Sequence, residues 1–328
     1  MSFFVFTENR AYVAKAKMKA KAKASPNYHQ IDRLSKRMAN QVQVNLLTGI
    51  KKFKNKISIE AMQNAVKTGS FGQVMETIPW RDLPEHLAPF NKTMNSTFTE
   101  AAAFTLQSLP PQVNKGLRFD MKNPSIRKHI DSKIGERIVD INSTTQKVVQ
   151  QAVIDSLNNA RTPRWIANQI KDSIGLDERR ANALSNYREN LETAGDHSPD
   201  MIDNLVEKYS ERLLDSRAMT IGRTEARDAA NNGQLSVWKE ATSQGLLDKG
   251  TTKKVWIVDG NPCDICEPMD GIAVGLEDNW DLNNGDSVDV PSDSHPNCYC
   301  GMELEFVQPG DDDYTDEDAE DAEDEDAS

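Results

Sequence analysis

Thr162 to Gly175 reads TPRWIANQIKDSIG, and its punctuation is that of a helix. Thr162 offers an N-cap oxygen, Pro163 follows at the first helical position, Ile166, Ile170 and Ile174 repeat at intervals of four, and Gly175 ends the element. Upstream, Val148, Val149, Ala152, Val153 and Leu157 fall on one helical stripe. Downstream, a further helix is expected from Asp177 through Leu184 and Leu191 to Gly195. The segment Gly195 to Pro199 (GDHSP) reads as a loop, and two more helical stretches follow, Asp200 to Ser216 and Arg217 to Gln244. Helical periodicity of this kind runs from Tyr28 to Gly245.

After Gly250 the texture changes. Lys254 to Asp259 (KVWIVD), Ile272 to Val274 and Met302 to Val307 are strand candidates, separated by turn-rich segments such as Asp270-Gly271 and Asn283-Asn284-Gly285-Asp286. The expected fold is therefore mainly α, with a small C-terminal α+β zinc-knuckle-like module and disordered charged termini. Five segments follow: a basic arm (1–27), an N-terminal helical region (28–140), a second helical region (141–250), a Cys/His strand module (251–309) and an acidic tail (310–328).

Composition agrees with a helical protein. Of 328 residues, 38% are hydrophobic and only 6% aromatic, which argues against a β-sandwich. No apolar run approaches the roughly 20 residues that span a bilayer, and the opening MSFFVF is too short for the apolar region of a signal peptide. Charge is polarised along the chain. Arg10 to Lys56 holds 13 Lys/Arg against one acid, while Asp311 to Asp326 holds 12 acids and no base. Within the first block, Lys15, Lys17, Lys19, Lys21 and Lys23 stand at every second position. Such a block reads as a solvated arm. It also suits phosphate neutralisation by counterion release, or docking on an acidic partner.

The chemistry concentrates in Cys263-x2-Cys266 and, after a 28-residue gap, His295-x2-Cys298-x-Cys300. Five sulfur and imidazole donors in so short a span suit tetrahedral zinc, which takes four. Cys263, Cys266 and Cys298 form the natural trio, with either His295 or Cys300 completing the set. A module of about 55 residues is marginal on burial alone, whereas structural zinc contributes apparent binding energies of about 10 to 16 kcal/mol to folding. Catalytic readings fare worse. Pro262-Cys263-x2-Cys266 matches half of the zinc deaminase signature, but none of the upstream histidines, His29, His86, His129 and His197, has glutamate two residues on. A thioredoxin-like helix after Cys263 is broken by Pro268 and Gly271. No H-E-x-x-H, Walker or G-x-S-x-G motif occurs, and the chain is not expected to be an enzyme.

Three ordered features together resemble the phage Mu protein F-like family of minor head proteins. They are Arg223-Thr224-Glu225 near the start of a helix, Trp256-x2-Asp259-x3-Cys263-x2-Cys266 leading into Asp270-Gly271, and His295-Pro296-x-Cys298-x-Cys300 before an alternating strand. The resemblance covers Thr144 to Val307. Tyr299 departs from the arginine that family members often carry between the last two cysteines, and Pro291-Ser292-Asp293-Ser294 departs from a proline-rich approach to the histidine. What the resemblance implies is a head morphogenesis protein of a tailed bacteriophage, associated with the portal and with capsid or scaffold proteins. It would be made in the host cytoplasm and carried in the capsid interior of the virion, with the basic arm facing phage DNA during packaging or ejection. The competing readings are a zinc-containing nucleic-acid-binding protein, disfavoured by the acidic character of residues 253–307, and an enzyme such as a nuclease or transferase with unrecognised carboxylates.

Overall fold

The computed structural model describes residues 25–120, 124–158 and 161–307, and side chains within 124–125, 127–138 and 156–158 are left aside. The lysines of the basic arm (Lys15, Lys17, Lys19, Lys21, Lys23) and the acidic tail lie outside the described residues. The described chain is mainly helical with a small C-terminal sheet, as the periodicity predicts. The principal helices are α1 (Pro26–Asn55), α2 (Ile59–Lys67), α3 (Phe71–Glu76), α4 (Leu83–His86), α5 (Ala88–Ser108), α6 (Pro111–Gly116), α7 (Pro124–Asn158), α8 (Pro163–Ser173), α9 (Glu178–Ala194) and α10 (Pro199–Ser243). The strands are β1 (Thr252–Ile257), β2 (Ala273–Gly275), β3 (Trp280–Asp281), β4 (Ser287–Val288) and β5 (Gly301–Phe306).

Two compact units form. Among the described residues, a helical unit comprises 33–101, 120, 124–158 and 161–230, and a sheet unit comprises 25–32, 102–119 and 231–307.

In the helical unit, α8 sits against α2 and α7. The caps are those the sequence announces. Thr162 Oγ1 accepts from the Trp165 N–H at 3.2 Å, and Asp177 accepts from the Arg180 N–H at 2.9 Å to open α9. Gly195 closes α9 in the left-handed conformation. Ile166, Ile170 and Ile174 are fully buried in a core shared with Leu46, Phe53 and Met62. Gly175 has φ +83, and a Cβ there would stand 2.8 Å from Ile50 and 2.9 Å from Leu214, so both conformation and space require glycine.

Under this apolar core lies a buried ionic network. Arg188 donates to Gln169 Oε1 at 3.1 Å and to Asp203 Oδ1 at 2.8 Å, with Asp172 Oδ2 at 3.8 Å. Its guanidinium lies over the Trp165 ring. Burial pushes the Asp172 carboxyl up to about 6, and burial also lowers Lys54, against the attraction of Asp172.

One expectation changes. The stretches Asp200 to Ser216 and Arg217 to Gln244 are a single 45-residue helix, α10. Nothing at the expected junction breaks it: Arg217 turns its guanidinium to the carbonyl of Gly175 at 2.6 Å and the backbone runs on. Further along, Gly222 packs so closely that a Cβ there would lie 2.5 Å from the Ala39 carbonyl oxygen. A helix-interior glycine is here a point of close backbone approach rather than a stop.

The sheet unit is built on β1, the central strand of a sheet ordered β2-β1-β5, antiparallel throughout. Lys254 pairs with Val274 on one side and Leu304 on the other. β3 and β4 form a separate ribbon closed by the Asn283–Asp286 turn, with Gly285 at φ +90. Tyr28 from α1 packs on Val255 and Ile257. The C-terminal part of α10 serves the sheet with side-chain amides: Asn231 donates to the Cys300 carbonyl at 3.3 Å, and Gln234 donates to that of Met302 at 3.1 Å. These amides satisfy carbonyls just before and within the start of β5, an edge strand of the sheet. Among the described residues, no helix is long and apolar enough to cross a membrane.

Candidate metal centre

The first knuckle begins where β1 ends. Cys263 and Cys266 bracket a tight turn in which the Cys266 and Glu267 N–H groups donate to the Cys263 carbonyl at 3.0 and 2.8 Å. A one-turn 3-10 helix, Glu267–Met269, follows and stops at Asp270. Asp270 Oδ1 then accepts from the Val258 N–H at 3.2 Å, and the Gly271 N–H donates to the Trp256 carbonyl at 2.9 Å. Gly271 has φ +77, which explains glycine in Asp270-Gly271. Through these contacts Trp256, Asp270 and Gly271 together return the chain from the knuckle onto β1. Trp256 is fully buried and meets Trp280 edge to face, with ring centroids 5.3 Å apart. Asp259 lies at the exit of β1, where its N–H donates to the Cys300 sulfur.

The second knuckle precedes β5. Pro291–Asp293 makes a 3-10 turn, and Ser294 Oγ donates back to the Pro291 carbonyl at 2.7 Å. Asn297 then takes φ +63, a left-handed position that asparagine tolerates better than most residues. The turn sends His295 and Cys298 to the same side, and the Cys298 N–H donates to the His295 carbonyl at 3.3 Å.

All five donors predicted from spacing converge around Cys266. Its Sγ lies 3.1 Å from His295 Nε2 and 3.8 Å from Cys298 Sγ, while Cys263 Sγ lies 3.2 Å from His295 Nε2. Two triads result, Cys263, Cys266 and His295, and Cys266, Cys298 and Cys300, with the donor atoms of each within 4.8 Å of one another. Cys266, Cys298 and Cys300 are buried and Cys263 is exposed; none forms a disulfide. The His295 ring is oriented for coordination. Its Nδ1 contacts the Pro296 carbonyl at 2.9 Å. A carbonyl only accepts, so Nδ1 donates there and Nε2 is the ring nitrogen turned toward the sulfurs.

The crowded sulfurs compete for protons. Hydrogen bonds from Cys266 and Cys300 hold the Cys298 thiol far below the ordinary range, whereas the Cys266 thiol is pushed up by its bond to Cys298. The Cys300 thiol is pushed up to about 12: its bond to Cys266 acts downward, but Cys298 and burial outweigh it. A thiolate and imidazole set of this kind can hold a soft or borderline metal ion.

Several supporting residues escaped the sequence reading. Ser294 Oγ approaches Cys266 Sγ at 3.7 Å. Asn283 ties the β3–β4 turn to the first knuckle by donating to the Asp264 carbonyl at 3.1 Å. Asn231 braces the second knuckle through Ser292 Oγ at 3.3 Å as well as through the Cys300 carbonyl. Lys254 is the least expected: a lysine in the central strand, fully buried, with Nζ 2.7 Å from the Asp289 carbonyl and 4.6 Å from the Trp280 ring centroid. The Asp289 carboxylate is shared with Lys239 at 2.7 Å. Its own burial works upward, but these two ammonium groups hold its pKa down. Burial lowers Lys254 against the same pairing. Alternating strand patterns carry no sign that such a lysine faces inward.

The Arg223-Thr224-Glu225 motif lies on α10 within the helical unit. Arg223 is exposed, Glu225 is buried, and Thr224 Oγ1 donates to the Thr220 carbonyl at 2.9 Å. One turn on, the fully buried Arg227 donates to Ser35 Oγ at 3.2 Å. Comparison of the chain with family models, with curated proteins and with solved structures finds no match.

Proposed function

We propose that this chain is a minor head protein of a tailed bacteriophage, an assembly component rather than an enzyme, whose Cys/His cluster holds one structural zinc ion. The observation that carries this reading is the ordered trio of motifs: Arg223-Thr224-Glu225, then Trp256 to Gly271, then His295 to Cys300. The second and third contain the residues that turn the chain at both knuckles. The partners under this reading are the portal and capsid or scaffold proteins, and the site of action is the capsid interior.

Zinc is favoured by donor chemistry and spacing. Two thiolates at about 2.3 Å from one tetrahedral zinc stand roughly 3.8 Å apart, and Cys266 and Cys298 are separated by 3.8 Å. The ion would draw the two knuckles together and so close the sheet unit; it would have no open position for a substrate and no catalytic part. Co-expression with the cognate portal protein followed by affinity purification tests the assembly role. Co-purification and incorporation into procapsids support it, and absence from both portal complexes and virions overturns it.

A further inference from the structure

Lys254 lies on β1, a strand with neighbours on both sides, where a fully buried charge is tolerated only when paired. Its side chain and that of Trp256, two residues on, share one face of the sheet, and both meet Trp280. The Lys254 Nζ lies 4.6 Å from the centroid of that ring, and the Trp256 ring packs edge to face against it. The same ammonium donates to the Asp289 carbonyl at 2.7 Å and to its carboxylate. One buried group therefore joins β1, the β3–β4 ribbon and the segment that follows β4.

Those three pieces lead to the two knuckles. Asp289 stands two residues before Pro291, which opens the 3-10 turn into Ser294 and His295. Trp280 donates from Nε1 to the Ile272 carbonyl at 3.0 Å, the acceptor that also takes the Trp256 N–H at 3.0 Å. At the end of the ribbon, Asn283 reaches the carbonyl of Asp264, between Cys263 and Cys266. These contacts use no cysteine sulfur and no imidazole, so the frame that sets the knuckles opposite each other is independent of the donors it carries.

We propose that Lys254 is the positioning residue of the metal centre: by clasping Asp289 and the Trp280 ring it keeps the two knuckles in register, so that an ion completes a site already laid out. The inference rests on the metal reading for the ion alone, since the register of the knuckles is measured without it. Lys254→Met separates position from stability. Methionine keeps an unbranched stem and removes the buried ion, a change often neutral to folding. Asp289 is not stranded by it, because its carboxylate is partly exposed and retains Lys239 at 2.7 Å.

The test uses the full chain as parent, as Lys254→Met, and as Lys239→Met, a control that removes the same charge from the exposed side of Asp289. Zinc affinity is measured by competition with a chromogenic chelator. Hydrogen exchange is followed in metal-free protein at the Ser294 and Cys298 amides, which donate to the Pro291 and His295 carbonyls within the second knuckle. Lys254→Met is expected to weaken zinc about tenfold or more. It should also speed exchange at those amides about tenfold while Thr252–Ile257 and Gly301–Phe306 stay protected. Lys239→Met is expected to move affinity less than about twofold. Equal loss in Lys239→Met would report net charge and overturn the proposal, as would unchanged affinity in Lys254→Met or free exchange at both amides in the metal-free parent. If Lys254→Met loses the strand protection too, the double variant Lys254→Met/Asp289→Asn, which leaves no carboxylate behind, is judged by the same criteria. Loss of the strands there as well shows a folding role alone and overturns the proposal. A parent that takes up no zinc, yet shows the expected exchange pattern, retains the clasp and removes only the metal reading.

Discussion

His295 Nε2 stands 3.1 Å from Cys266 Sγ while its Nδ1 is held by the Pro296 carbonyl, so the imidazole turns its Nε2 edge toward the thiols. If one zinc sits there, protein purified under reducing conditions will contain about one equivalent of it. Cys298→Ser is expected to release the metal and loosen the sheet unit, with helical circular dichroism largely retained. Zinc affinity is expected to fall as pH falls, because each thiolate must lose a proton to bind. Comparing His295→Ala with Cys300→Ser identifies the fourth ligand: the dispensable residue is the one whose loss leaves the metal in place. Elemental analysis well below one equivalent, with all four thiols titratable, would count against the site.

Gly222→Ala should destabilise the helical unit. Alanine is the better helix former by about 1 kcal/mol, but its Cβ would meet the Ala39 carbonyl oxygen at 2.5 Å. Backbone cannot yield as a flexible side chain can, so the clash should prevail with a net loss of about 1 to 3 kcal/mol. Urea denaturation gives the sign directly, and a gain in stability would show that the approach relaxes without cost.

Arg188→Ala removes the partner of Asp203 and Gln169 and leaves a gap beside Trp165. Breaking a buried pair by deleting one member typically costs about 3 to 5 kcal/mol, and a loss of that order is expected here. A midpoint shift within error in thermal or urea unfolding would mean that Asp203 is satisfied by Arg164 and Asn168, which also reach its Oδ2.

Asp172 makes stability depend on pH in an unusual direction. Its folded pKa is raised to about 6 from 3.8, so between these values the folded state binds more protons than the unfolded chain. Stability from this group therefore rises as pH falls through 6, and it is lost as pH rises again. From pH 7 to pH 5 the gain is on the order of 1 kcal/mol. Asp172→Asn should remove that increment from the pH profile of the urea midpoint. An unchanged profile would assign the dependence elsewhere.

Local signals were legible where a single residue caps or turns the backbone by itself. Thr162, Pro163, Asp177, Gly195 and Gly271 each announce a cap or turn, and the structure uses them so. The gathering of Cys263, Cys266, His295, Cys298 and Cys300 was legible because their paired spacings place them on two short turns. Pairing of the two-residue strands β3 and β4 was not, since Trp280–Asp281 and Ser287–Val288 are too short to show alternation. The buried polar run along α10, including Arg227, Asp228, Asn231 and Gln234, also hides from pattern reading. Polar letters signify a solvated face unless their partners, such as the Cys300 and Met302 carbonyls, are known. Nor can a reading along the chain see that 25–32, 102–119 and 231–307 gather into one unit, because that grouping depends on contacts distant in sequence.

The edge-to-face pair of Trp256 and Trp280 gives the molecule an optical gauge of its own. Two indoles at 5.3 Å and near-perpendicular planes couple their electronic transitions, which produces a paired circular-dichroism signal that depends on their mutual angle. Trp256 lies on the strand leading to the first knuckle, and Trp280 lies on the ribbon whose turn is tied to Asp264 within it. Opening of the knuckle should therefore be readable without any label, in the unmodified chain.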